Sequence, residues 1–254
     1  MSRASGDDTT GAGAAGTATG SKSARTRATI IDAALRLFRE RGYEATTMRA
    51  IAAEARVSVG SAYYYFASKE ELIQGFYDRA QVEHAAASRP ILDRASDLTS
   101  RIVGVTEAWL TTMEPYRPFA GKFFKHAAEP TSPLSPFSPE STPARVAAVG
   151  LWREVLEGSN TRIPKRLQAE LPELLWLYFM GIVLFWVHDP TTDGSATRNV
   201  ASASAPLVVR AIELARLPLV RSMLDDILAL IIEIKHVFPL ADTTTDASSG
   251  RQAW

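Results

Sequence analysis

The sequence predicts an all-α protein: a small N-terminal three-helix head of helix-turn-helix type, followed by a larger helical body. Three observations carry this reading. Apolar residues recur at helix spacing through almost the whole chain. Serine and threonine stand where helix starts need side-chain caps, and proline and glycine punctuate the segments between. At 254 residues and 46% apolar the chain has ample material for a buried core. It contains no cysteine, which excludes disulfides and thiolate metal sites and fits a reducing cytoplasm.

The N-terminal stretch MSRASGDDTTGAGAAGTATGSKSARTR is small and polar where a signal peptide would be apolar, so residues 1–24 read as a disordered arm. The first helix follows from Ile30, Ala33, Ala34, Leu37 and Phe38, with Gly42 placed to end it in the left-handed conformation. Thr46 and Thr47 can cap a second, short helix through Met48, Ile51, Ala52 and Ala55. Arg56 to Ser58 form a tight turn, and Ser58 caps a third helix, Val59 to Tyr65. Two short helices joined by a turn behind a longer one make the helix-turn-helix arrangement. A fourth helix opens at Ser68, where Ser68-Lys69-Glu70-Glu71 fits a reciprocal cap, with Glu71 reaching back to the serine N–H.

The chain carries 28 basic and 28 acidic side chains, yet they are unevenly spread. Lys22, Arg25, Arg27, Arg36, Arg39, Arg41, Arg49 and Arg56 crowd the head, opposed by Asp32, Glu40, Glu44 and Glu54. This is the footprint of one end that meets phosphate, although solvated helix faces would look the same. Tyr63, Tyr64 and Tyr65 cannot all face one core, because successive helix positions turn by about 100°. If the third helix enters a major groove, Ser58, Val59, Gly60 and Ser61 are small enough for close backbone approach, and the tyrosine hydroxyls supply donors at the margins. Lys69, first in the fourth helix, faces a dipole that disfavours a cation unless an anion binds there.

The segment TRATIIDAALRLFRERGYEATTMRAIAAEARVSVGSAYYYFASKEEL resembles the tetracycline-repressor-like (TetR) family of transcriptional regulators. The order carries it: Ala-Ala then Leu-x-Phe, Gly-Tyr, Thr-Thr, Ile-Ala-x-x-Ala, Val-Ser-x-Gly, Tyr-x-x-Phe and Lys-x-x-Leu. The resemblance implies a phosphate contact for Thr47 and base reading from Arg49. It makes Val59, Gly60 and Ser61 groove-floor positions, and gives Tyr63, Tyr65 and Lys69, with Tyr64, the DNA backbone. Packing of the tyrosine rings against the first and fourth helices is the competing use, and Tyr63 is expected to do both. Two residues depart from the family pattern. Arg56 stands where a glycine is usual, so the turn is altered or Arg56 gains a phosphate contact. Ala62 replaces a leucine, so a large neighbour is expected to lean in.

Beyond Ala80, periodicity and prolines predict helices near 98–113, 115–128, 143–157, 172–188, 197–216 and 218–236, a helical domain at 73–240 after a head at 25–72, with a flexible tail at 241–254; the resemblance implies that this domain serves effector binding and dimerisation. EPTSPLSPFSPESTP between them is too stiff and polar for a helix and reads as a linker or pocket-edge loop; its repeated Ser-Pro also fits a phosphorylation or docking signal. The most apolar run, Leu174 to Val187, falls short of the roughly 20 residues of a membrane span, so it reads as a core or interface helix with no membrane partner. Apolar on all sides, it needs neighbours all round, and Gly181 permits a close helix approach.

The resemblance implies that this body binds a small apolar or aromatic effector and forms a homodimer. Trp109, Phe123, Phe124, Trp152, Trp176, Phe179 and Met180 are the candidate pocket residues, with Phe119 and Phe185 beside them; core or dimer packing is the commoner use of each. His126 and His188 could orient a ligand, and His188-Asp189 looks dyad-like without a third member or an oxyanion donor. The expected function is a homodimeric repressor bound to a near-palindromic double-stranded DNA operator and released by its effector. A DNA-binding regulator or architectural factor governed by a protein partner is the alternative. An enzyme lacks support, since no paired carboxylates, phosphate loop or metal cluster emerges, and no cofactor or metal is called for.

Overall fold

In the computed structural model, residues 14–129 and 131–217 are described, together with the helical positions Asp226, Ala229 and Glu233. The predicted helix at 218–236 and the tail at 241–254 otherwise lie outside the described residues. Among those residues every regular element is helical, in the order α1 Ala14–Arg41, α2 Met48–Glu54, α3 Val59–Tyr65, α4 Lys69–Leu92, α5 Leu98–Met113, α6 Arg117–Ala127, α7 Thr142–Glu157, α8 Leu171–His188 and α9 Ser195–Leu214. The chain divides into two units between Ile73 and Gln74, within α4.

In the first unit α1 presents Ile30, Ile31, Ala34, Leu37 and Phe38 as a sealed face. Helix α1 begins inside the stretch 1–24, where composition suggests an arm; alanine has the highest intrinsic helix propensity, and Ala14, Ala15 and Ala18 start the helix. Gly42 ends it at φ 86°, donating its N–H to Phe38 O at 3.0 Å. Thr47 caps α2 by accepting from Ala50 N at 3.2 Å, and Ser58 caps α3 by accepting from Ser61 N at 3.0 Å. Thr46 does different work, donating its hydroxyl to Gly42 O at 2.8 Å in a buried position.

Arg56 adopts φ 55° and, among the described residues, is the non-glycine residue with positive φ. Its N–H reaches Ala53 O at 3.1 Å while Val57 N–H reaches back to Ala52 O at 3.0 Å, the paired bonds of a left-handed helix end. The turn therefore keeps its glycine-type geometry around an arginine. The cap of α4 differs by one residue from the reciprocal pattern: Ser68 Oγ accepts from Glu71 N at 3.2 Å, but Glu71 Oε2 accepts from Ala67 N at 2.7 Å. The carboxylate has reached the residue before the cap.

In the second unit α8 packs against α6, α7 and α9, and α5 against α7 and α9. Helix α8 is long and apolar enough to cross a membrane by composition alone. Here Leu175, Trp176, Phe179, Ile182 and Trp186 are buried in the helical packing. Two buried arginines hold backbone ends together. Arg101 donates to Leu92 O, Ala95 O, Glu154 O and Val155 O, all at 2.7–2.8 Å, joining the ends of α4 and α7. Arg145 holds the proline-rich loop.

That loop packs as consecutive turns. Ser135, Ser138 and Ser141 each donate their N–H to the carbonyl three residues back, at 3.0–3.2 Å, and each intervening proline stands second in its turn, where its fixed φ is favourable. Ser141 Oγ donates to Ser135 O at 2.7 Å, and Tyr77 Oη donates to Leu134 O at 3.1 Å. Ser135 and Ser138 are buried, which removes the phosphorylation reading for those two Ser-Pro sites.

Candidate functional site

The three tyrosines of α3 separate as the helix turns. Tyr64 is 82% exposed, Tyr63 52%, and Tyr65 is half-buried with its ring edge-on to Tyr64 at 5.2 Å. The opposite face carries Ala62 and Phe66, both buried, and Arg27 lies over the Phe66 ring at 4.9 Å. Ser58, Val59 and Gly60 are exposed and Ser61 is half-buried. A Cβ added to Gly60 would meet nothing nearer than Ser58 Oγ at 4.0 Å. No packing among the described residues explains its bareness, whereas close approach of another backbone would. Thr47 and Arg49 are exposed at the start of α2. Tyr63, Tyr64, Val59, Gly60 and Ser58 thus share the outward side of one short helix, with an N-terminus already capped from within.

Lys69 is less free than its place in the sequence suggests. Its Nζ donates to Tyr43 O at 2.8 Å and sits 4.3 Å from the Tyr43 ring centre, so the ammonium is seated on the end of the first helical hairpin. One of its three donors is used there. Tyr43 Oη donates in turn to Glu70 Oε1 at 2.6 Å. Burial pushes the Glu70 carboxyl up, but the Tyr43 hydroxyl and its backbone and Ser68 bonds outweigh that and leave it below its ordinary value. Within the basic cluster Arg36 is taken by Glu54 at 3.1 Å.

A cavity of about 550 Å3 lies in the second unit, between α4, α5, α6, α7, α8 and the Ser-Pro turns. Of the seven pocket residues expected from sequence, Trp109, Phe123, Phe124, Trp176, Phe179 and Met180 line it. Trp152 does not: it is 1% exposed, and its ring packs 5.5 Å from the Phe179 ring, behind the wall. A tryptophan on the inward side of a helix reads the same from sequence whether it faces a void or a neighbour. The aromatic wall is interlocked, with Trp109 edge-on to both Phe179 at 5.3 Å and Trp186 at 5.0 Å.

Tyr77, Arg145 and Phe137 also line the cavity and were not among the sequence candidates. Phe137 rides on the Ser-Pro turns, edge-on to Trp176 at 5.4 Å; the "pocket-edge" reading of that loop was the available signal. His126 and His188 lie outside the lining, although His188 is edge-on to Phe124 at 5.1 Å. The His188-Asp189 pair forms no dyad. His188 Nδ1 lies 2.9 Å from Leu184 O, while Asp189 accepts from Thr191 N and Oγ1 and from Thr197 N and Oγ1 at 2.6–2.8 Å. Burial raises the Asp189 carboxyl, yet these four bonds prevail and hold it well below the usual carboxylate range. It serves as a remote cap for α9, whose own N-cap, Gly194, has no side chain.

Comparison with known proteins gives a concordant result. Residues 30–75 match the family profile described as bacterial regulatory proteins, tetR family, and residues 101–230 match the tetracyclin repressor-like C-terminal domain. The HTH-type transcriptional repressor KstR2 of Mycobacterium tuberculosis is 36% identical over 92 residues, 35% of this chain and 44% of that relative. The matched region therefore spans less than half the length of that relative. Among solved structures, a TetR transcriptional regulator from Nitrosomonas europaea superposes with a TM-score of 0.56 at 22% identity, covering 71% of this chain and 96% of the other. Thermus thermophilus FadR, a TetR-family repressor solved in complex with lauroyl-CoA, gives 0.50 at 22% identity, covering 70% and 92%. At these identities the structural likeness is one of fold.

Proposed function

Because the chain belongs to the TetR family of bacterial transcriptional regulators, we propose that it is a homodimeric repressor of a near-palindromic operator, released by a small apolar or aromatic effector. The observation that carries the reading is the outward side of α3: small residues and two exposed tyrosine rings on a helix whose other side is sealed. In a groove, Ser58, Val59, Gly60 and Ser61 approach base edges, Arg49 reads a base from the start of α2, and Thr47, Tyr63, Tyr64, Tyr65 and Lys69 hold the phosphates. Lys69, seated on Tyr43, offers its remaining donors from a fixed position rather than a mobile arm. A two-fold dimer presents two such helices about one DNA turn, roughly 34 Å, apart. The site of action is the cytoplasm, where the DNA lies.

Release needs an effector that binds one arrangement of the dimer better than the other, since a ligand indifferent to both shifts nothing. The cavity supports this half of the reading, because 550 Å3 lies within the range of small-molecule sites. A coupling of about 1–3 kcal/mol lowers operator affinity by roughly 5- to 150-fold. Helix α4, in which the two units divide, is the segment proposed to transmit the change. Selecting bound fragments from the source genome, then mobility shifts on the selected site with aromatic and aliphatic compounds, tests both halves. Operator binding that some compounds weaken is the expected result. Failure to select any sequence contradicts the regulator reading, and indifference to every compound contradicts the effector.

A further inference from the structure

The lining of the cavity is unequal in charge. Arg145 is the charged side chain among the described residues that line it, and no acidic side chain joins it there. It is 6% exposed. Three of its bonds go to neutral oxygens: Nη1 to Pro136 O at 2.8 Å and Ser138 O at 3.2 Å, and Nη2 to Thr142 Oγ1 at 2.9 Å. A guanidinium has five N–H donors, so two remain after these. No ion pair within 4.0 Å links it to a carboxylate of the described residues, and Glu173 acts on it only through its field. Burial pushes the guanidinium below its ordinary value while Glu173 works the other way. Three other arginines of this unit are disposed differently. Arg117 lies within ion-pair range of Glu114 and Asp189, Arg198 pairs with Glu107, and Arg101 spreads four bonds over backbone carbonyls and does not line this cavity.

A buried cation with no ion-pair partner is costly, and an anion brought to it with good hydrogen-bond geometry offsets part of that cost. A cationic ligand would find no carboxylate here and would meet Arg145. A neutral one would leave the charge unpaired. We propose that the cavity is a site for an amphipathic organic acid, whose carboxylate meets the Arg145 guanidinium while its apolar body lies among Trp109, Phe123, Trp176 and Phe179. The inference rests on the cavity being the effector site, and it narrows that site from apolar compounds in general to weak acids. Arg145 then has two tasks, holding the Ser-Pro turns through Pro136 and Ser138 and receiving the ligand head with its remaining donors. The same arginine would make the turns sensitive to occupancy.

The test is calorimetric titration of the full chain with three probes that share one body and differ in head charge: 1-pyrenebutyrate, 1-pyrenebutanol and 4-(1-pyrenyl)butyl-trimethylammonium. The acid is expected to bind about tenfold or more tightly than the alcohol, which corresponds to roughly 1.4 kcal/mol, and the cation weakest. Arg145→Gln, which keeps amide donors for the loop carbonyls, is expected to bring acid and alcohol within about threefold of each other, the ratio of the two affinities being the readout. Should that variant not fold, Arg145→Met, which removes the charge at similar length, is read instead, with the acid-to-alcohol ratio expected at least threefold below wild type. An alcohol that binds wild type as well as the acid, or a ratio unchanged in the folded variant, overturns the inference and leaves the effector cavity standing. Binding of none of the three probes overturns the cavity reading, and this inference with it.

Discussion

Arg56 shows what a single residue trades. A side chain in the left-handed region costs about 1–2 kcal/mol, and the turn keeps its two backbone bonds at that cost. Arg56→Gly is therefore expected to stabilise the protein by about 0.5–1 kcal/mol in urea unfolding, the strain relief being partly offset by the greater freedom of glycine in the unfolded chain. If the arginine is kept for a phosphate, the same variant binds operator more weakly, and the slope of log affinity against log salt falls by about one contact. An unchanged slope leaves Arg56 without a part in DNA binding. Lys69→Ala is expected to act on both properties. It removes the bond to Tyr43 O and the contact with its ring, costing about 1 kcal/mol of stability, and it weakens binding to specific and random DNA alike. Unfolding curves and salt-dependent mobility shifts separate the two effects. The caps at Thr47 and Ser58 were legible because each is a local rule of three residues. The seat of Lys69 was not, because Tyr43 lies 26 residues away and nothing in either residue announces the other.

At the level of elements, spacing and punctuation were good guides to the helices and poor guides to the loops. Helix α5 occupies Leu98–Met113, as its periodicity predicts, because Ile102, Val105, Trp109 and Met113 fall on one side and Asp97 caps it by accepting from Ser100 N at 2.8 Å. The Ser-Pro turns take their order from Gln74 and Tyr77, 59 and 57 residues from the carbonyls they bind, and from Arg145 on the helix that follows, so the partners on α4 leave no local signal. Asp189 stands beside His188 in a dyad-like pair that the sequence gives no third member, and its partners are Thr191 and Thr197 rather than His188. Its carboxyl is depressed in the folded state, so the ionised form stabilises the fold above the unfolded value of about 3.9, and this stabilisation is lost as pH falls below that value. Urea unfolding between about pH 6 and pH 2 should show the loss. Asp189→Asn is expected to cost about 2 kcal/mol at pH 7 and to flatten the acid limb. An acid limb as steep in the variant as in wild type would place the dependence on other carboxylates.

The described body, taken as a molecule, leaves apolar surface uncovered. Leu184 and Phe185 on α8 and Leu207 and Leu214 on α9 are exposed, the most open being Leu207 at 60%. Along α9, Ala203, Leu207, Ala211 and Leu214 are exposed at intervals that keep them on one side of a helix. Sequence periodicity foresaw that α8 needs neighbours all round; which side the chain itself leaves bare depends on α6, α7 and α9, and only the packed structure shows it. A second copy of the chain is the cover we propose, and Leu207→Glu tests it. The side chain is exposed within one chain, so charge there is expected to leave helix content and the monomer's own packing intact. Desolvating that carboxylate in a dimer is costly, so sedimentation should show dimer giving way to monomer at micromolar concentration. Operator affinity should then fall steeply, because one head reads half a site and the avidity of two linked heads is gone. A variant that stays dimeric places the interface on another surface. A monomeric variant that binds the operator undiminished would remove the dimer from the mechanism altogether.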